Sequence, residues 1–197
     1  MLFRSDDPRY YAGLVANTVL GGGYSSRLNQ EIRIKRGLAY GAGSSLSVRK
    51  GSGGFSASTQ TKNETAGEAA DLLRSEMGRL GTSLPTPEEM AARKSVLIGS
   101  FGRALGTTDG LASTLGSWAA YGIDLGEIKL YTARIEAVTP EQVRDFAAQV
   151  LKPGETSVIV VGDGKLFGDS LKKALPDAEV IPLSELDLDS PTLRKAK

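Results

Sequence analysis

Carboxylates, amines, guanidiniums, phenols and hydroxyls are the groups with which this chain could do chemistry, because none of its 197 residues is histidine or cysteine. Without imidazole or thiolate it cannot assemble the nitrogen and sulfur ligand sets typical of zinc sites. It equally lacks a disulfide, a thiolate nucleophile and the base of a Ser-His triad. Any reaction that needs such groups must draw them from another chain or domain. The notable side chains concentrate in one stretch. Between Gly21 and Gly54 lie nine of the 24 glycines and six cations, Arg27, Arg33, Lys35, Arg36, Arg49 and Lys50, against the single acid Glu31. The local net charge is therefore +5 inside a chain whose 24 Lys and Arg against 23 Asp and Glu leave only +1.

That stretch admits a bland reading, a solvated loop and helix face, and a sharper one. Gly21-Gly22-Gly23-Tyr24-Ser25-Ser26 could present backbone N–H groups to an anion at a helix N-terminus. It lacks the Gly-Lys-Ser/Thr ending of a phosphate loop, and the residues before it read as helix, where a nucleotide fold needs a strand. Other candidates explain themselves structurally. Glu88 and Glu89 suit the positive end of a helix, Ser44 and Ser45 have no histidine to activate them, and Asp163 with Asp169 make only a nominal carboxylate pair. Trp118, Tyr121, Met77 and Met90 read as packing residues.

The elements that must position these residues follow from periodicity. Asp6-Asp7-Pro8 starts a helix whose face is Tyr11, Leu14, Val15, Thr18 and Val19, stopped by Gly21-Gly22-Gly23. A second helix runs from Ser25 or Ser26 to Arg36. Residues 39–60 read as an antiparallel hairpin around a basic turn, Arg49 to Gly53. Helices follow from Asn63 to Leu80, from a Thr86/Glu89 capping box to Leu105, over Asp109–Tyr121 and Glu127–Val138, and from Thr139 to Leu151. Thr156–Asp163 is an apolar run that predicts a buried strand. A short helix over Lys165–Leu175, a short strand over Ala178–Pro182 and a tail in which order fades near Ser190-Pro191 complete the chain. The fold class expected is α+β, a largely antiparallel sheet covered by a layer of helices. Domain organisation reads as a half-domain over 1–163 and a helix/strand extension over 164–197. A chain of this length buries roughly 70% of its unfolded surface, enough for a sizeable core. No run of ~18 apolar residues suggests a membrane span, and the charge balance does not favour nucleic acid.

Leu20-Gly21-Gly22-Gly23-Tyr24-Ser25-Ser26-Arg27-Leu28, followed by Ile32-Arg33-Ile34-Lys35-Arg36-Gly37-Leu38-Ala39-Tyr40, resembles the C-terminal half-domain of insulinase/pitrilysin-type zinc metallopeptidases, the family that includes mitochondrial processing peptidase. Arg33 and Tyr40 match that family's Arg and Gly-Leu-x-Tyr positions with the same spacing. Gly21, Gly22, Gly23, Ser26, Arg27 and Leu28 form its structural motif. The similarity covers most of residues 8–163.

The resemblance implies a function. In such peptidases two half-domains enclose a chamber, one carrying an inverted His-x-x-Glu-His zinc motif and the other the Arg/Tyr pair. With no histidine this chain can only be the second kind, so zinc is expected on a partner half-domain or subunit and none here. Arg33 and Tyr40 are implied to bind the peptide substrate and help stabilise the transition state, reaching one point across the turn between them. The chain alone should be an inactive domain. The alternatives are a purely structural or peptide-binding module of a processing or assembly complex, and an anion- or nucleic-acid-binding domain using the basic Gly-rich segment. Family halves begin with a strand for which only Leu2-Phe3-Arg4 remain, so a truncated first strand and self-association through an unpaired sheet edge are expected. Bacterial relatives favour the periplasm, with the cytoplasm open.

Overall fold

The computed structural model describes residues 7–47 and 53–195. The Leu2-Phe3-Arg4 strand remnant, Asp6 and the basic turn up to Ser52 lie outside them. The chain is α+β. Helix α1 spans Tyr10–Leu20, a short α2 spans Arg27–Asn29 and passes directly into a π-helical turn over Gln30–Lys35. Strands β1 (Ala39–Ser47) and β2 (Gly54–Thr61) pair antiparallel. Then come α3 (Ala66–Thr82), α4 (Pro87–Leu105), α5 (Thr108–Tyr121), α6 (Glu127–Ala137), α7 (Pro140–Val150) and α8 (Gly164–Ala174).

Helix α1 is the axis of the core. Val15, Val19 and Leu20 are fully buried with Leu28 and Ile32 of the following turns, Leu80 of α3, Ile135 of α6 and Val143 and Phe146 of α7. Removing side chains of this size from water stabilises the fold by about 1.5–3 kcal/mol each. The local signals that start α4 and α7 are satisfied in both directions. Thr86 accepts from Glu89 N while Glu89 accepts from Thr86 N, and Thr139 and Gln142 repeat the arrangement.

Two expected strands do not form. Thr156–Val161 carries the right composition, yet among the described residues it joins no ladder, and Ile159 and Val161 are 82% and 93% exposed. β-branched residues favour extended backbone, but a strand exists only where a second backbone supplies hydrogen bonds. The segment instead forms one wall of a groove of about 480 Å³, with β2 as the other wall and Leu73 and Met77 of α3 among its floor residues. Among the described residues, 178–182 likewise join no ladder, and the Val180 carbonyl accepts from the Arg194 guanidinium. Past Ser190-Pro191 the chain stays folded back: Arg194 bonds Glu179 and Glu185, and Lys195 N donates to Glu185 O. Helix α8 lies on α3 so closely that a Cβ on Gly67 would stand 2.9 Å from Ser170.

The contact that sets α1 against the sheet is backbone on backbone. Ser44 N donates to Gly21 O at 3.1 Å, and a Cβ on Gly21 would fall 2.2 Å from Ser44 N. Gly23, two residues on, faces open space. Gly21→Ala is therefore expected to cost about 1–3 kcal/mol through overpacking, whereas Gly23→Ala should stay within about 0.5 kcal/mol of wild type. Urea denaturation of the two variants checks this, and equal midpoints would contradict it.

Candidate functional site

Two backbone irregularities flank the turn at Gly37-Leu38, and each carries one of the residues singled out by sequence. The π-helical turn bears Arg33. It closes at Gly37, whose φ of 64° is the left-handed conformation glycine adopts without penalty. Gly37 N donates to Arg33 O and Leu38 N to Ile32 O, a helix closure one residue wider than the usual left-handed cap. Extra-wide turns of this sort often sit at functional sites. On the other side, Ala39 pairs Thr61 but Ala42 pairs Thr59, so β1 holds one extra residue at Tyr40-Gly41. Such a bulge re-aims a side chain out of the regular pleat. Tyr40 is 96% exposed and lines an open hollow with Gly37, Leu38, Ala39 and Gln60.

The bulge is held by side chains of the opposite strand and of α2. Thr59 Oγ1 donates to Gly41 O at 2.9 Å, Thr61 Oγ1 donates to Leu38 O at 2.6 Å, and Ala42 N donates to Asn29 Oδ1 at 3.3 Å. Arg33 does not touch Tyr40. Its guanidinium lies over the ring of Tyr24, 4.7 Å from the centroid, within cation–π range. The two predicted site residues thus flank one turn without direct contact.

The Gly-rich loop before the π turn is clamped from α4. Arg27, buried, donates through Nε and Nη2 to the two carboxylate oxygens of Glu89 at 2.9 and 2.8 Å. Arg93, also buried, donates from Nη1 to Ser25 Oγ at 2.8 Å and from Nη2 to Ser25 O. Glu89 therefore caps α4 and anchors the loop at once. Sequence reasoning found the cap but not the anchor, nor Tyr24, Asn29, Thr59 or Thr61, because those partners meet only through tertiary packing. Leu28 is buried in the core. Ser26 is the extended residue just before α2, and the Cβ of a residue replacing Gly22 would press on Thr18. Ser44 is a structural donor, bonded through Oγ to Asn17 Oδ1 at 2.8 Å.

Three of the four described cations of this stretch are paired with carboxylates. Lys35 and Arg36 share Glu31, whose carboxyl is held below the usual range by those hydrogen bonds, Lys35 first. Arg27 does the same to Glu89. Glu76 moves the other way, raised by burial. Among the described cations of this stretch, Arg33 is the one that faces an aromatic ring in place of a carboxylate. Among the described residues no group of three or more His, Cys, Asp or Glu could hold a metal ion, and no helix is long and apolar enough to cross a membrane.

A depressed folded pKa contributes stability that is complete above the unfolded carboxylate value of ~4.3 and is lost as pH falls through the lower folded value. Glu89→Gln keeps the capping geometry but removes the ion pair. It should cost about 1.5–3 kcal/mol at pH 7 and flatten the loss of stability below pH ~4.3. Thermal unfolding from pH 7 to 2.5 checks both; a profile parallel to wild type would contradict the pairing as the cause.

Residues 2–97 match the family profile described as the peptidase M16 inactive domain. An uncharacterised zinc protease of Streptomyces coelicolor is 34% identical over 150 residues, covering 76% of this chain and 32% of that protein. One from Mycobacterium tuberculosis H37Rv is 36% identical over 142 residues, covering 70% and 31%. The chain thus spans about a third of the length of the curated relatives it matches. In structure it is similar to a peptidase M16 inactive domain from Pseudomonas fluorescens, with a TM-score of 0.71 at 28% identity over 78% of this chain and 37% of that one. A protease from Helicobacter pylori shares the fold at a TM-score of 0.68 and 18% identity, over 75% of this chain and 36% of that one.

Proposed function

Residues 2–97 belong to the M16 inactive-domain family, the zinc-free half of the insulinase/pitrilysin type, and from that premise we propose that the chain is the substrate-binding half of a two-part zinc endopeptidase. The observation that carries this reading is the pairing of the π turn with the β bulge, which presents Arg33 and Tyr40 on either side of one turn. Zinc belongs to the partner half, where it supplies Lewis-acid polarisation of the scissile carbonyl. This chain's own residues bind and orient. The Arg33 guanidinium donates to a carbonyl of an extended peptide, and the Tyr40 phenol donates to the oxygen on which negative charge develops. Donors held in place before the reaction need little reorganisation as that charge appears. The relatives named zinc proteases support the assignment of the metal to the other half.

With the zinc-bearing half supplied, Arg33→Ala and Tyr40→Phe should each lower kcat/KM on a peptide substrate by about 10²-fold, the usual effect of losing one such donor, without lowering this domain's melting temperature. Unchanged turnover in both variants sinks the role and favours a structural module. The pairing of Lys35 and Arg36 with Glu31 argues against the anion-binding alternative, for which salt-dependent retention on a polyanion is the check.

We further propose that β2 and the unladdered Thr156–Val161 run are edges that take up an extended strand from the zinc-bearing half, or from a second copy when that half is absent. Light scattering should find the isolated chain associating with rising concentration and reverting to a one-to-one complex on adding the zinc-bearing half. A monomer at every concentration contradicts the second-copy route.

A further inference from the structure

Asn29 is a polar side chain in a nearly sealed position, at the end of α2 where the helix widens into its π turn. Burying a carboxamide is costly unless its hydrogen bonds are made, and here both ends are used. Nδ2 donates to the carbonyl of Tyr24 in the Gly-rich loop, and Oδ1 accepts from Ala42 N, the amide at which the β ladder resumes after the bulge. The loop end of this bridge carries the Tyr24 ring on which the Arg33 guanidinium rests. The strand end carries Tyr40, two residues before Ala42. One carboxamide therefore ties the seat of the guanidinium to the stem of the phenol, although Arg33 and Tyr40 do not touch. Arg93 steadies the same loop one residue further on, through Ser25.

We propose that Asn29 is a positioning residue that fixes the relation between Arg33 and Tyr40, with Tyr24 as the seat for Arg33. The functional part of this rests on the reading above that Arg33 and Tyr40 meet substrate. An apolar residue of the same size would sever both bonds. An aspartate would keep an acceptor for Ala42 N but present an oxygen to the Tyr24 carbonyl, releasing the loop alone.

The test uses the 197-residue chain with nitrogen-15 labelling. In wild type the Arg33 Nε–H resonance should be shifted upfield by the Tyr24 ring, and the Ala42 amide should exchange slowly. Asn29→Leu should lose both signatures, and Asn29→Asp should lose the Arg33 shift but retain Ala42 protection. Should Asn29→Leu fail to fold, Asn29→Asp and Tyr24→Leu decide the matter, since Tyr24→Leu should abolish the Arg33 shift while sparing Ala42. An Arg33 resonance indifferent to Asn29→Asp overturns the proposal. Paired with the zinc-bearing half, Asn29→Asp should lower kcat by up to about a hundredfold, the effect of a misplacement near 1 Å, with KM little changed. If Arg33→Ala lowers turnover and Asn29→Asp does not, positioning is refuted and the functional reading stands. If Arg33→Ala has no effect, the functional reading fails and the resonance measurements alone decide what Asn29 does.

Discussion

Helix α1 and strand β1 meet backbone to backbone at Gly21 and Ser44, a contact with no room for a single methyl group. Much of the rest depends on that approach. It ends α1 at the sheet surface and starts the Gly-rich loop beside the middle of β1. The loop must then turn back within a few residues, so that α2 and its π extension run down to the bulged start of the same strand. A wider separation would leave Asn29 unable to reach Ala42, and the turn bearing Arg33 would no longer be tied to the bulge bearing Tyr40.

Electrostatics secures this geometry and gives the basic segment a different meaning. Arg27 and Arg93 are buried beneath the loop, where Arg27 grips Glu89 and Arg93 grips Ser25. A buried guanidinium with a bidentate carboxylate partner is a directional clamp, and directional bonds fix a loop better than apolar contact alone. With Lys35 and Arg36 sharing Glu31 and Arg27 on Glu89, three of the four described cations of the basic segment are tied to carboxylates. The cation left over a ring, Arg33, is the one the functional reading needs.

The parts legible in the sequence are those set by neighbours a few residues apart. The Thr86/Glu89 and Thr139/Gln142 boxes, the stop after Leu20 and the hairpin all follow from local hydrogen bonds and turn chemistry. Thr156–Val161 misled because β-branched composition reports a preference for extended backbone and is silent on whether a partner strand lies alongside. The π turn and the bulge were hidden for a related reason. Each inserts one residue, and one residue is within the tolerance of any periodic pattern. Arg33 and Tyr40 were visible through a resemblance, whereas Tyr24 and Asn29 required the path of the backbone. The double duty of Glu89 shows the limit well, since its role at the helix start is local and its grip on Arg27 spans 62 residues of sequence.

The central claim is that this chain completes a catalytic site whose metal lies elsewhere. The most direct measurement is peptide cleavage by the purified zinc-bearing half, titrated with this chain. The account predicts negligible turnover by either component alone, and turnover that rises and saturates as the two approach equal amounts. Full activity of the zinc-bearing half by itself, unchanged on adding this chain, would contradict it.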